Sequence, residues 1–151
     1  MVSENVADRL GIFKTLDDVP EEYRLHRHDR LLAGRDVYAA WVAENIDAEW
    51  ARKEAGRVER RWKTHMDDRG RHHALATPAD VEAFLAVLAD EVQLERVYKP
   101  YWLYLKRFYH WMAWHTDYPH RYNPVLMACV EHPTSETVWN YVMNDVKTAF
   151  K

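Results

Sequence analysis

RVYKPYWLYLKRFYHWMAWHTDYPHRYNP, residues 96–124, carries three of the chain's seven tryptophans in one aromatic run. Tyr98, Tyr101, Leu105, Phe108 and Met112 succeed one another at steps of 3, 4, 3 and 4. That spacing puts them on one face of an α-helix and predicts a buried stripe. Pro100 is compatible with a helix beginning near Tyr98, because the N–H groups of a first turn have no intrahelical partner. The opposite side presents Arg96, Lys99, Lys106 and Arg107. Pro119 closes the element, and Asn123-Pro124 opens a shorter helix over Val125 to Val130.

Before this stretch, Thr77-Pro78-Ala79-Asp80 reads as a helix start. Threonine caps, proline occupies a position that needs no N–H, and an acid sits in the first turn. The helix is predicted to bury Val81, Phe84, Leu85, Leu88 and Val92, and to leave Asp80, Glu82, Asp90 and Glu91 on an acidic outer face. Asp36 is placed to cap a helix whose apolar side is Val37, Tyr38, Trp41, Val42, Ile46 and Trp50. A glycine weakens a helix by about 1 kcal/mol relative to alanine, so a break or kink is expected near Gly56. Val58, Trp62 and either His65 or Met66 then continue an apolar stripe, with Arg57, Arg60, Arg61 and Thr64 off it. Gly70 is the natural stop. Residues 1–34, punctuated by Pro20 and Gly34, read as an N-terminal extension of loops and short helical turns. Residues 35–133 form the helical domain. Residues 134–151 form a last helix whose stripe of Val138, Val142, Val146 and Phe150 needs a surface to cover it.

The chain's 151 residues suit one domain, and its four Gly and six Pro, with few β-branched runs, favour an all-α protein. The single Cys129 permits no internal disulfide. No apolar run approaches the roughly 20 residues that span a bilayer, and the mixed, acidic start is unlike a secretory signal. These features imply a soluble, cytoplasmic protein. Net charge is −3, unevenly spread: residues 1–51 carry −5, 52–73 carry +4, 74–95 carry −5, 96–122 carry +4 and 123–151 carry −1. Two basic segments flanking an acidic one are either ordinary solvated helix faces or the footprint of a polyanion.

Catalytic and metal-binding patterns are not found. Helical metal sites use histidines three or four apart on one face; His110 and His115 are five apart, and His72 and His73 are adjacent. Cys129, inside the apolar VLMACV, reads as a packing residue. No G-x-S-x-G or P-loop occurs. No cofactor is implied, although the many Trp and Tyr have two readings, a large-residue core or an aromatic pocket between helices.

The block TPADVEAFLAVLADEVQLERVYKPYWLYLKRFYHWMAWHTDYPHRYNP resembles the core-binding, SAM-like N-terminal domain of tyrosine recombinases (phage-type integrases). The matching positions are Val81, Phe84, Leu85 and Leu88 in the capped helix; Leu105, Phe108, Tyr109 and Trp111 in the aromatic helix; and Asn123-Pro124. With the preceding basic RVERRWKTHM, the likeness covers about residues 52–131, and RWKTHMDDRGRHHALATPADVE and YNPVLMA are similar to archaeal integrase-like proteins. Arg96-Val97 and Pro100 depart from the Ser or Thr cap usual for the aromatic helix.

The resemblance implies a compact orthogonal bundle with extra N- and C-terminal helices. It also implies double-stranded DNA as partner, held by the first helix and the aromatic helix, which are the two +4 segments. The expected phosphate contacts are Lys53, Arg57, Arg60, Arg61, Arg96, Lys99, Lys106 and Arg107, with base readout by Thr64, His65 or Tyr104. Strand transfer in the family belongs to a second domain with an H-x-x-R box and a tyrosine nucleophile. None of the nine His here is followed by Arg three residues on, and the chain ends at Lys151. The expectation is therefore a DNA-holding module with no catalytic residues, no metal and no cofactor. The alternative is a regulatory module that associates with a recombinase, or with itself, through the C-terminal helix.

Overall fold

The computed structural model describes residues 5–149, with side chains through Asn144, and is an all-α bundle; no strand occurs among the described residues. Six helices of eight residues or more make up the described fold: α1 Val37–Asn45, α2 Glu49–Asp68, α3 Pro78–Glu91, α4 Leu103–Trp114, α5 Pro124–Glu131 and α6 Pro133–Ala149. The N-terminal segment is a series of 3₁₀ turns and one α turn, Asp29–Leu32. Its Val6, Leu10, Val19, Leu25 and Leu32 are buried against the bundle.

The helix starts arise from local chemistry. Asp36 accepts from the Ala39 N–H, and Asn123 accepts from the Val125 N–H with Pro124 behind it. Thr77 and Asp80 form a capping box, in which side chain and backbone satisfy each other's orphan groups. At the end of α2, Gly70 takes φ +72. The Arg71 N–H then bonds the Met66 carbonyl and the Gly70 N–H bonds the Asp67 carbonyl, a left-handed stop that glycine adopts without a Cβ penalty.

Three local expectations are corrected. Gly56 lies inside an unbroken 20-residue helix; the break falls instead at Ile46–Ala48, where the backbone turns extended. Helix continuity at Gly56 is supported by its flanks, since Ala55, Val58 and Trp62 are fully buried and the Tyr38 hydroxyl donates to the Ala55 carbonyl at 3.0 Å. The break at 46–48 shifts the helical phase of the residues after it, so Trp50, expected in the core, is 67% exposed. Around Pro100 the aromatic helix does not start cleanly at Tyr98. One turn, Leu94–Arg96, leads into a wide irregular turn, Val97–Trp102, in which Lys99 is extended and the Lys99–Pro100 peptide is cis. The residue before a proline avoids the α region, and regular α4 begins only at Leu103.

The core is aromatic. Trp62, Trp102, Tyr38, Tyr109 and Phe108 are each less than 2% exposed. Leu105, Phe108 and Met112 form the expected buried face of α4, continued back by buried Tyr101 in the irregular turn, with Tyr98 at its edge. The second half of the connection between α2 and α3, residues 74–76, is buried, and backbone polar groups in and beside it are answered by core side chains. Trp62 Nε1 and the Tyr109 hydroxyl both donate to the His73 carbonyl, at 2.8 and 2.9 Å. His120 Nε2 bonds the Ala74 carbonyl at 2.6 Å. Buried main chain is tolerated only when so paired.

The acidic outer face expected on α3 is partly internal. Asp80 is 1% exposed and takes ion pairs from Arg69 and Arg71. Burial raises its carboxyl pKa, but hydrogen bonds from Thr77 and Arg69 and the Arg71 charge outweigh that and hold it below the usual value. Glu82 caps α6 through the N–H groups of Thr134 and Ser135. Val138, Trp139, Val142 and Met143 of α6 are buried, and the helix packs on α3 and α5. The apolar stripe of the last helix is thus covered within the chain as far as Val142. Phe150 and the Val146 side chain lie outside the described residues. No helix among the described residues is long and apolar enough to cross a membrane.

Candidate nucleic-acid interface

The cations predicted from the sequence fall into four settings. On α2, Lys53, Arg57, Arg60 and Thr64 are all exposed. Their spacing of 4, 3 and 4 places them on one side of the helix. Lys53 and Arg60 are seven residues apart, about 10 Å along the axis. Lys53 has a loose contact to Glu49 at 3.8 Å, and Arg57 one to Glu54 at 3.4 Å.

Arg61 is in a different position. Its guanidinium meets Glu91 of α3 at 2.7 Å and lies over the Tyr101 ring, 5.9 Å from its centroid. It ties α2 to its neighbours. Arg96 and Lys99 are exposed and border a small groove with Glu95, Tyr98 and Tyr141 of α6. They do not share the setting of Lys106 and Arg107, which lie further on, in α4.

Neither residue expected to read bases together with Thr64 is disposed to do so. Tyr104 is 6% exposed, with its ring edge-on to Trp41 at 6.2 Å. His65 is held by the Asp80 carbonyl at 2.9 Å and stacks on Trp62; burial pushes its pKa below the ordinary value.

Lys106 and Arg107 face an open cleft of about 910 Å³. One wall is the α1–α2 corner, from Trp41 through Trp50; the other is α4 from Tyr104 to Trp114, with Arg9 and Leu126 completing the rim. Trp50 and Trp114 are 67% and 79% exposed, Trp111 is half-buried, and Trp41 is buried. Lys106 is half-buried with its ammonium 5.7 Å from the Trp102 ring centroid. Burial, and then the charges of Arg107 and Arg9, lower its pKa. Among the described residues neither Lys106 nor Arg107 has a carboxylate within ion-pair distance.

The sequence leaves an aromatic pocket between helices as one of two readings of its Trp and Tyr, but does not place this cleft. One signal for it is present in the chain: Tyr104, Arg107, Trp111 and Trp114 step by 3, 4 and 3, forming a second stripe beside the buried one. The other wall depends on where α1 breaks, and residues 46–48 contain neither Gly nor Pro to mark it.

The remaining chemical candidates are packing groups. Cys129 is buried, donates to the Val125 carbonyl, and has its thiol pushed up to about 12 by burial. His73 and His120 are driven down to about 3 and about 4, chiefly by burial. No cluster of three metal-ligating side chains occurs among the described residues.

The fold and these surfaces define a class, an all-α bundle with an exposed basic helix face and an aromatic, cationic cleft. No family model, curated protein or solved structure matches the chain.

Proposed function

We propose that this chain binds double-stranded DNA through the outer face of α2, as a core-binding-like module without strand transfer of its own. The observation that carries the reading is the alignment of Lys53, Arg57 and Arg60, with Thr64, along one solvent-facing side of a 20-residue helix. The order of motifs shared with integrase core-binding domains supports the same assignment. Arg61, His65 and Tyr104 are excluded from the contact set by their internal partners.

Phosphate neutralisation releases counterions, so affinity falls with salt at a log–log slope of about −0.9 per contact. Three contacts give a slope near −3. A duplex titration at two salt concentrations measures it directly. Arg57→Ala with Arg60→Ala should flatten the slope by about two. Duplex binding that ignores salt, or that the double variant leaves unchanged, overturns the assignment.

A further inference from the structure

We infer that the cleft between the α1–α2 corner and α4 holds a short single-stranded segment of nucleic acid, with unpaired bases stacked on Trp50 and Trp114 and phosphates on Lys106 and Arg107. This site is separate from the outer face of α2 and does not depend on duplex binding there.

Apolar surface is placed here against the usual trend. Tryptophan is highly buried on average, and exposed aromatic patches mark binding sites. Four of the seven Trp are buried in the core, at positions 41, 62, 102 and 139. The two that are strongly exposed, Trp50 and Trp114, lie on opposite walls of the same cleft. A flat ring held at the surface is a stacking platform, because every base presents a π-face.

The charge of the cleft selects among apolar occupants. Lys106 and Arg107 line it, with Arg9 at the rim and Asp47 the one acid among the lining residues. Lys106 sits half-buried beside the two arginines, an arrangement an incoming anion would stabilise. A purely apolar peptide would desolvate these cations without replacing their water. Duplex DNA keeps its bases stacked on each other and offers no free faces to the two rings. An unpaired strand supplies both faces and phosphates.

The length of the cleft also fits a strand. The α4 wall runs from Tyr104 to Trp114, ten residues or about 15 Å. At about 3.4 Å per stacked nucleotide that accommodates about four, and the cleft is open rather than closed around one base.

The test is fluorescence anisotropy of the full chain with four labelled probes: an eight-residue oligodeoxythymidylate, the ribo equivalent oligouridylate, an abasic phosphodiester of the same length, and a duplex. Base-containing strands should bind at least tenfold more tightly than the abasic strand, and the tighter of the two identifies DNA or RNA as the source. Trp50→Ala and Trp114→Ala should each weaken binding of the preferred strand by about 5- to 100-fold and leave the abasic strand unaffected. Both side chains are exposed, so each variant should keep its far-UV circular dichroism. Lys106→Gln should flatten the salt slope for the abasic strand. Equal affinity of the native chain for base-containing and abasic strands overturns the proposal. So does a native dimer that Trp114→Ala dissociates while strand affinity is unchanged, since the cleft would then belong to a second copy. Arg57→Ala with Arg60→Ala, read on the duplex alone, reports on the outer face of α2 and separates failure of that assignment from failure of this one.

Discussion

Glu82 caps a helix that begins fifty residues later: its carboxylate accepts the Ser135 N–H at 2.9 Å and the Ser135 hydroxyl at 2.8 Å. Its other oxygen accepts the Thr134 N–H at 3.0 Å. Ser135 is fully buried, so water cannot replace these bonds. A carboxylate at a helix N-terminus also opposes the positive end of the helix dipole. Through this side chain, α3 holds the first turn of α6.

Replacing Glu82 by alanine should therefore cost about 2–3 kcal/mol, the loss of a charged cap that leaves buried donors unpaired. Glu91→Ala, which removes only the partly exposed partner of Arg61, should cost under about 1 kcal/mol. Urea unfolding of the two variants compares them directly. Equal losses would refute the capping role.

The glycine inside α2 and the glycine that follows its end should respond with opposite signs. A Cβ at Gly56 meets only the end of the Arg60 side chain, at 3.6 Å, and the backbone there is helical. Gly56→Ala is expected to stabilise by about 0.5–1 kcal/mol. Gly70 stands at φ +72, so Gly70→Ala should destabilise by about 1 kcal/mol. Thermal melts of the pair provide the check.

Stability should fall steeply in mild acid. His73 accepts the Tyr38 N–H at Nε2, and His120 is buried against the Ala74 carbonyl, with folded-state values of about 3 and about 4. Both lie below the ordinary value near 6.5, so between about pH 6 and pH 4 the unfolded chain binds up to two more protons than the folded one. Stability then drops by as much as ~2.7 kcal/mol per pH unit as pH falls. Below about pH 4 the depressed carboxyls of Asp80 and Asp36 add to the loss in the same direction, since their contribution is present only while they are ionised. His120→Gln should remove about one proton from the slope. A pH series of unfolding midpoints that stays flat from about 6.5 to 4.5 would contradict this linkage.

Arg60 and Arg61 are adjacent in sequence and should behave differently towards duplex DNA. Arg60→Ala is expected to reduce the salt slope by about one. Arg61→Ala, whose guanidinium is held by Glu91 at 2.7 Å, should leave the slope within about 0.3 of native. Filter binding across a salt series distinguishes the two.

The sequence by itself determined the elements whose signals are local. The Thr77-Pro78-Ala79-Asp80 start, the Gly70 stop, the Asn123-Pro124 cap and the buried stripe from Tyr101 to Met112 all arise from bonds or periodicity within a few residues. The basic row of Lys53, Arg57 and Arg60 is legible for the same reason, since its register is set by the helix that carries it. Tertiary structure alone decided which charges are spent internally. Asp80 reads as solvent-facing in its helix, yet it meets Arg69 and Arg71 across a turn. Glu82 and Glu91 look alike as outer-face acids until α6 and Arg61 come to them. Tertiary packing also decided the break at Ile46–Ala48, where neither Gly nor Pro signals an end and Tyr38 and Trp41 seat α1 on Phe108. That break turns Trp50 outwards and creates the aromatic cleft. A side chain's periodicity is a property of its own helix; its partner is a property of whichever helix arrives opposite.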